Sequence, residues 1–331
     1  MRRSLLLPLA LVTLGPALAR CSTNAGTTAS AGDSGAGAGD AAAADARRES
    51  GKGTSTGSGT GSNSGTGSGA GASTAPAWAT APEHSSGCGV AATPSGTDGD
   101  ARTVTVNGVD RSYIVYVPPG YDPTRNYPVV LEYHGIGATG AEMAAWIQMQ
   151  DYSAGNAIVA FPSAVNGNWD LTGATDLAFF DAMTASLEST LCVNERRIFV
   201  LGFSLGAYMA NSLGCHRSGA IRAFIPADGG FPGATAGCGK TTVLVYHRAE
   251  DDNEPIANGE AARDDWLGID GCAQASTPIT DFGFAGLGCV QYEGCPTATT
   301  VAWCDDTATS PYKHDLRDVY RVPMWNWFNH F

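Results

Sequence analysis

The stretch Gly202-Phe203-Ser204-Leu205-Gly206 constrains this chain more than any other five residues. Before it, Arg197-Ile198-Phe199-Val200-Leu201 predicts a short buried strand; after it, Ala207 to Leu213 reads as a helix. A serine on a sharp strand-to-helix turn sits in a strained backbone conformation with its hydroxyl held out. Small residues two positions to either side let the strand and helix approach closely. The pentapeptide alone is a weak signal in a chain with 43 glycines, and Gly53-Thr54-Ser55-Thr56-Gly57 repeats it with no strand or helix around it. The weight on Ser204 therefore comes from its flanks and from partners elsewhere.

Arg2 and Arg3 precede an apolar run from Leu5 to Leu14, too short to span a bilayer, so residues 1–20 are expected as a signal peptide. Ala17-Leu18-Ala19 suits cleavage before Arg20, whereas Leu18-Ala19-Arg20-Cys21 resembles a bacterial lipobox in which Cys21 would be lipidated. Free secretion and membrane attachment through Cys21 both stay open, although Cys21 is the odd one of 9 cysteines and its removal leaves an even set for disulfides. Residues 21–85 are mostly Gly, Ser, Thr and Ala and cannot bury enough surface to order themselves. They are expected as a disordered linker with a reach of roughly 45 Å. Residues 86–331 carry the aromatics and the other cysteines, enough chain for one large α/β domain. The net charge of −13 argues against nucleic acid or anionic lipid as a partner. Nothing in the sequence fixes an oligomeric state.

Strands are predicted at 102–106, 112–117, 129–133, 157–161, 197–201, 223–226, 242–247 and 299–303, and helices at 141–147, 176–192, 205–213, 257–267 and 323–331. Two strands followed by alternating strands and helices predict a mostly parallel central sheet with helices on both faces. With the serine turn inside it, this layout resembles an α/β-hydrolase.

An acyl-transfer serine needs a histidine base, a carboxylate to orient it and donors for the oxyanion. In that fold the chain order is Ser, then Asp or Glu, then His, so only His314 and His330 of the six histidines follow the plausible acids. His314, in a loop past a strand, is preferred over His330 near the chain end. The strand 242–247 leads into a loop holding Glu250, Asp251, Asp252 and Glu254, among which composition does not choose. The strand 129–133 runs into His134-Gly135-Ile136-Gly137, a turn suited to oxyanion donors. The backbone N–H groups of Ile136 and Leu205 are the expected pair, and His134 is then structural.

Residues 102–331 resemble the secreted polyhydroxybutyrate depolymerase and feruloyl esterase family of α/β-hydrolases, through the segments 127–135, 161–170, 192–206, 246–255 and 301–304. The resemblance implies a carboxylic-ester hydrolase acting on polymer-linked substrates, with no cofactor and no metal. It places the acid four residues beyond His247 and four before Pro255, which is Asp251, with Asp252 next in line. It places the base after Trp303-Cys304, although His314 follows Tyr312-Lys313 where the family has glycine. A serine peptidase on the same fold and a non-catalytic surface-binding lipoprotein are the alternatives.

Eight cysteines outside Cys21 are expected in disulfides, and Cys192–Cys215 is expected as one bond because strand out and helix back should return the chain near its start. Trp169, in Asn166-Gly167-Asn168-Trp169-Asp170, is a candidate substrate-binding plate at the sheet end where active-site loops gather.

Overall fold

A computed structural model describes residues 77–331 apart from 97, 172, 297 and 298. The expected signal segment, Cys21 and the serine copy at 53–57 lie outside the described residues. Among the described residues ten strands form one sheet: β1 (Asp100–Val106), β2 (Val109–Tyr116), β3 (Tyr127–Tyr133), β4 (Ile158–Pro162), β5 (Val193–Phe203), β6 (Ala223–Ala227), β7 (Thr242–Arg248), β8 (Ser276–Pro278), β9 (Cys289–Tyr292) and β10 (Val301–Asp306). Their order is β1-β2-β4-β3-β5-β6-β7-β10-β9-β8. The strands from β4 across to β10 run parallel, and an antiparallel pair closes each edge. β3, β4, β6 and β7 are buried at every position, as parallel strands covered on both faces must be.

The helices are α1 (Ala77–Thr80), α2 (Gly140–Ile147), α3 (Met149–Tyr152), α4 (Thr175–Thr190), α5 (Leu205–His216), α6 (Ile256–Asp270) and α7 (Asp318–His330). One face of the sheet takes α4, α5 and α6 through Phe180, Met183, Leu213 and Trp266. The other takes α2, α3 and α7 through Met143, Ile147, Met149 and Phe328. The fold is the α/β-hydrolase arrangement expected.

Several details differ. Helix 176–192 stops at Thr190, and Cys192 lies in extended chain. The last helix starts at Asp318, so Pro323 sits inside it rather than opening it. β8 and β9 were not predicted: they are three and four residues long, too short for alternation to show. Residues 77–85, grouped by composition with the linker, pack on the domain: the Arg222 guanidinium lies 4.1 Å from the Trp78 ring, and Ser85 Oγ donates to Leu191 O at 2.8 Å.

The expected Cys192–Cys215 bond is absent. The bonds are Cys88–Cys192, Cys215–Cys238, Cys272–Cys295 and Cys289–Cys304. The reason is a mismatch of rises. β5 has 11 residues and covers about 36 Å, whereas the 12 residues of α5 return only about 18 Å. Cys215 therefore stops halfway back, against the loop that carries Cys238.

Two carboxyls lie where water cannot reach them. Burial pushes Glu132 on β3 up to about 8, with Arg321 opposing the rise, and pushes Asp270 at the end of α6 up to about 7. Folding thus raises both pKa values above the ordinary 4.5 and 3.8. Their contribution to stability is full below those ordinary values and is lost as pH rises through about 7 and about 8. Thermal melts are expected to give a midpoint about 5 °C or more lower at pH 8.5 than at pH 5. Glu132→Gln should shrink that difference, and an unchanged difference would remove Glu132 from this account.

Candidate active site

β5 ends at Phe203 and α5 begins at Leu205, so Ser204 is the single residue of the turn, at φ 56° and ψ −123°. That backbone region is strained for any residue with a side chain. The turn is held by what surrounds it. A Cβ on Gly202 would run into the backbone of Gly206, and one on Gly206 into the carbonyl of Tyr133. The Ser204 N–H donates to Ala227 O at 2.9 Å, tying the turn to the end of β6.

The loop after β3 lies against the serine: a Cβ on Gly135 would sit 3.2 Å from Ser204 Cβ. His134 cannot serve as a base there. Its Nδ1–H donates to Gly135 O at 2.7 Å and its Nε2 accepts from Ala164 N at 3.0 Å. Burial holds its pKa below the usual imidazole value. Ile136 follows it, 67% exposed, on the rim of the cavity described below. Leu205 is the first residue of α5, so its N–H has no acceptor within the helix.

Trp169 is not in the cleft. It is 5% exposed, its Nε1–H donates to His134 O at 2.8 Å, and its ring packs on Tyr133 and His134. The sequence placed it at the right end of the sheet but gave no sign of which way it faced. Its bond to the His134 carbonyl supports the Gly135-Ile136 loop from behind.

The loop after β7 and the loop after β10 bring the acid and the second histidine together: His314 Nδ1–H donates to Asp251 Oδ2 at 2.6 Å. The other Asp251 oxygen accepts from the N–H groups of Asn253 at 2.9 Å and Glu254 at 2.8 Å. Burial alone would raise the Asp251 carboxyl, but the bonds from His314, Glu254 and Asn253 outweigh it and hold the carboxyl below its ordinary value. Asp252 points elsewhere, 3.8 Å from Lys313 Nζ and largely exposed. His330 is exposed and packs on Phe282 and Phe331.

The altered loop around His314 has an anchor that sequence reading missed. Arg317 donates twice to Asp306, at 2.5 Å to each oxygen, and Tyr246 Oη donates to the same carboxylate at 2.8 Å. Arg248 reaches over to Ala308 O at 3.0 Å. Only Asp315 and Leu316 separate His314 from Arg317, so this clamp holds the chain next to the imidazole. Asp228 lies beneath, fully buried, accepting from Arg248 N at 2.7 Å. Burial holds its carboxyl well above the usual range, against the pull of the Arg248 N–H.

Ser204 and His314 line one cavity of about 700 Å³ together with Ile136, Met143, Trp146 and Phe203. Trp146 on α2 meets the Phe203 ring edge-on at 4.6 Å, and Phe203 in turn lies 4.7 Å from the His314 ring. Trp146, not Trp169, is the aromatic wall. Its signal was its place three residues after Met143 on the helix that follows the His134-Gly135 turn. Glu254 closes another side, where its carboxylate accepts from Tyr208 Oη at 2.9 Å and Asn258 Nδ2 at 3.0 Å.

Among the described residues, Asp228, His247 and Asp251 bring one possible metal-ligand atom each within 4.8 Å of one another. The Asp251 oxygens are already engaged, and His247 Nε2–H donates to Glu254 O at 2.8 Å. His247 Nδ1 and Asp228 Oδ2, both buried, have no hydrogen-bond partner of their own. What remains is a serine, a carboxylate-held imidazole and backbone donors around an apolar cavity, the parts for nucleophilic acyl transfer.

No family model matches the sequence. Among curated proteins, the chain is 30% identical over 219 residues to "Probable feruloyl esterase C" of Aspergillus niger, spanning 64% of this chain and 78% of that one. It is 29% identical over 242 residues to feruloyl esterase D of Neurospora crassa, spanning 68% and 81%. Among solved structures, an acetyl xylan esterase from Aspergillus awamori superposes with a TM-score of 0.54 at 16% identity, over 70% of this chain and 100% of that one. That last likeness speaks to the fold.

Proposed function

Because the chain belongs to the feruloyl esterase family of α/β-hydrolases, we propose that it releases hydroxycinnamoyl groups from polysaccharide through an acyl-enzyme on Ser204. It is a carboxylic-ester hydrolase; the acyl group, the polymer and the residue roles are the proposal. The observation that carries it is the 2.6 Å bond between His314 and Asp251, beside the strained Ser204, in one cavity. The four disulfides support an oxidising compartment, outside the cytoplasm, for this work.

With Nδ1–H given to Asp251, the neutral His314 ring has its lone pair on Nε2, and that nitrogen takes the proton as Ser204 Oγ attacks the ester carbonyl. The Asp251 carboxylate stabilises the imidazolium that forms. The Ile136 and Leu205 N–H groups receive the oxyanion. His314 then protonates the leaving sugar oxygen, and water, activated in the same way, hydrolyses the acyl-enzyme.

The acyl group rests against Trp146, Phe203 and Met143. An aromatic acid gains stacking there that acetate does not. Trp146→Ala is expected to raise KM for methyl ferulate about 3–10-fold while p-nitrophenyl acetate changes less than twofold. Steady-state kinetics on the two esters check this. Equal losses on both would remove Trp146 as the acyl wall, and a wild-type enzyme inert to methyl ferulate would overturn the substrate assignment.

A further inference from the structure

The cavity of Ser204 has two unlike sides. By strand order, β5 and its serine stand between β3, which leads to α2, and β7, which leads to the acid loop. Met143 and Trp146 on α2 therefore line one side of Ser204, and Asn253 and Glu254 after β7 line the other. Glu254 is held there by its backbone and its side chain together. Its N–H donates to Asp251 Oδ1 at 2.8 Å, and its carbonyl accepts from His247 Nε2 at 2.8 Å. Its carboxylate Oε2 accepts from Tyr208 Oη at 2.9 Å and Asn258 Nδ2 at 3.0 Å. Tyr208 stands one turn after Ser204 on α5, and a Cβ on Gly230 would lie 3.0 Å from its Oη, so the phenol is boxed in as well. Among the described residues, Glu254 Oε1 takes no hydrogen bond. A carboxylate on an open surface swings and is screened, whereas one fixed in the wall of a cleft acts on whatever enters.

No cation in the cavity answers this charge. Glu142 adds a second carboxylate, which accepts from Thr139 Oγ at 2.9 Å at the start of α2, and neither lysine nor arginine lines the space. Of the two histidines, burial keeps His134 below the usual imidazole value, and His314 is matched by Asp251. We infer that Glu254 is a specificity-determining residue, a fixed charge on the alcohol side of the site. It admits esters of uncharged alcohols, turns away those whose alcohol bears a carboxylate, and loosens the acid product. With the acyl group against Trp146, the alcohol lies across Ser204 toward Glu254. Hydrolysis takes a neutral ester and water and returns an alcohol, a carboxylate and a proton. The product thus carries a charge that the substrate lacked, in a cavity already negative. This rests on the ester reading above and adds to it which charge a ligand of the site carries.

The test uses the full chain and two acetyl esters that differ in the charge of the leaving phenol, 4-acetoxybenzamide and 4-acetoxybenzoate. Wild type is expected to favour the neutral ester by about tenfold in kcat/KM. In Glu254→Gln that ratio should fall to about twofold, and in Glu254→Asp, which keeps the charge, most of it should remain. The ratio is taken within each enzyme, so a general loss of acyl transfer cancels. Sodium chloride at about 0.5 M should compress the wild-type ratio as well, a reading that needs no variant to fold. Ferulate should inhibit wild type about fivefold less than its uncharged amide does, and the gap should close in Glu254→Gln. A wild-type ratio near one, a ratio that Glu254→Gln or salt leaves unchanged, or a Glu254→Asp enzyme that behaves like Glu254→Gln would overturn the charge filter. A chain that splits the two acetates as expected but is inert to methyl ferulate would overturn the hydroxycinnamoyl reading and keep the filter.

Discussion

Ser204→Ala is expected to lower kcat on methyl ferulate by more than about 10⁴-fold, with KM and the melting temperature nearly unchanged. The size follows from the role. Oγ forms the bond to the acyl carbon, and nothing else among the groups lining the cavity replaces it at neutral pH: His134 has both nitrogens engaged. The oxyanion donors are backbone groups and survive the change, so a small residual rate over water is expected. Stability should hold because the side chain is small, and alanine meets the φ of 56° with much the same strain as serine. Ester kinetics with a melt on the same sample check it. Residual kcat above about one per cent of wild type would move the nucleophile elsewhere.

Asp251→Asn is expected to cost about 10³–10⁴ in kcat, while Asp252→Asn stays within about twofold. The carboxylate accepts Nδ1–H at 2.6 Å and so leaves the Nε2 lone pair free to take the serine proton. An asparagine amide can turn its NH₂ toward Nδ1, because its oxygen suits the N–H groups of Asn253 and Glu254. That choice puts the histidine proton on Nε2 and removes the base without disturbing the fold. Asp252 is exposed beside Lys313, where a lost charge is screened. The paired variants decide between two adjacent carboxylates that composition could not separate. A loss in Asp252→Asn with Asp251→Asn active would reverse the acid assignment.

What the sequence made legible, and what it did not, divides along physical lines. The Ser204 turn was readable because two periodicities change across one residue, strand before and helix after, and because close backbone approach demands glycine at 202 and 206. The buried strands were readable from their apolar runs, Val129-Val130-Leu131 in β3 and Val243 to Tyr246 in β7. Pairing Asp251 with His314 needed more than pattern. Four carboxylates share the loop, and only the three-dimensional set of donors around one of them, His314, Asn253 and Glu254, tells it from its neighbour.

The failures are all matters of direction or distance that a linear pattern omits. Cys192 and Cys215 flank one strand–helix unit, but rise per residue keeps them apart. Trp169 and Trp146 both follow strands that end at the site, yet one faces the backbone of the loop and the other the cavity. The clamp of Asp306 on Arg317 joins residues 11 apart in a segment with no periodicity to read.

The central claim is that acyl transfer runs through Ser204. A fluorophosphonate probe reports on it directly, because only an activated serine attacks phosphorus at a useful rate. Intact mass should show one adduct per chain, tandem mass spectrometry should place it on Ser204, and labelling should vanish in Ser204→Ala and fall sharply in Asp251→Asn. An adduct on another residue, or labelling that persists in Ser204→Ala, would contradict the account.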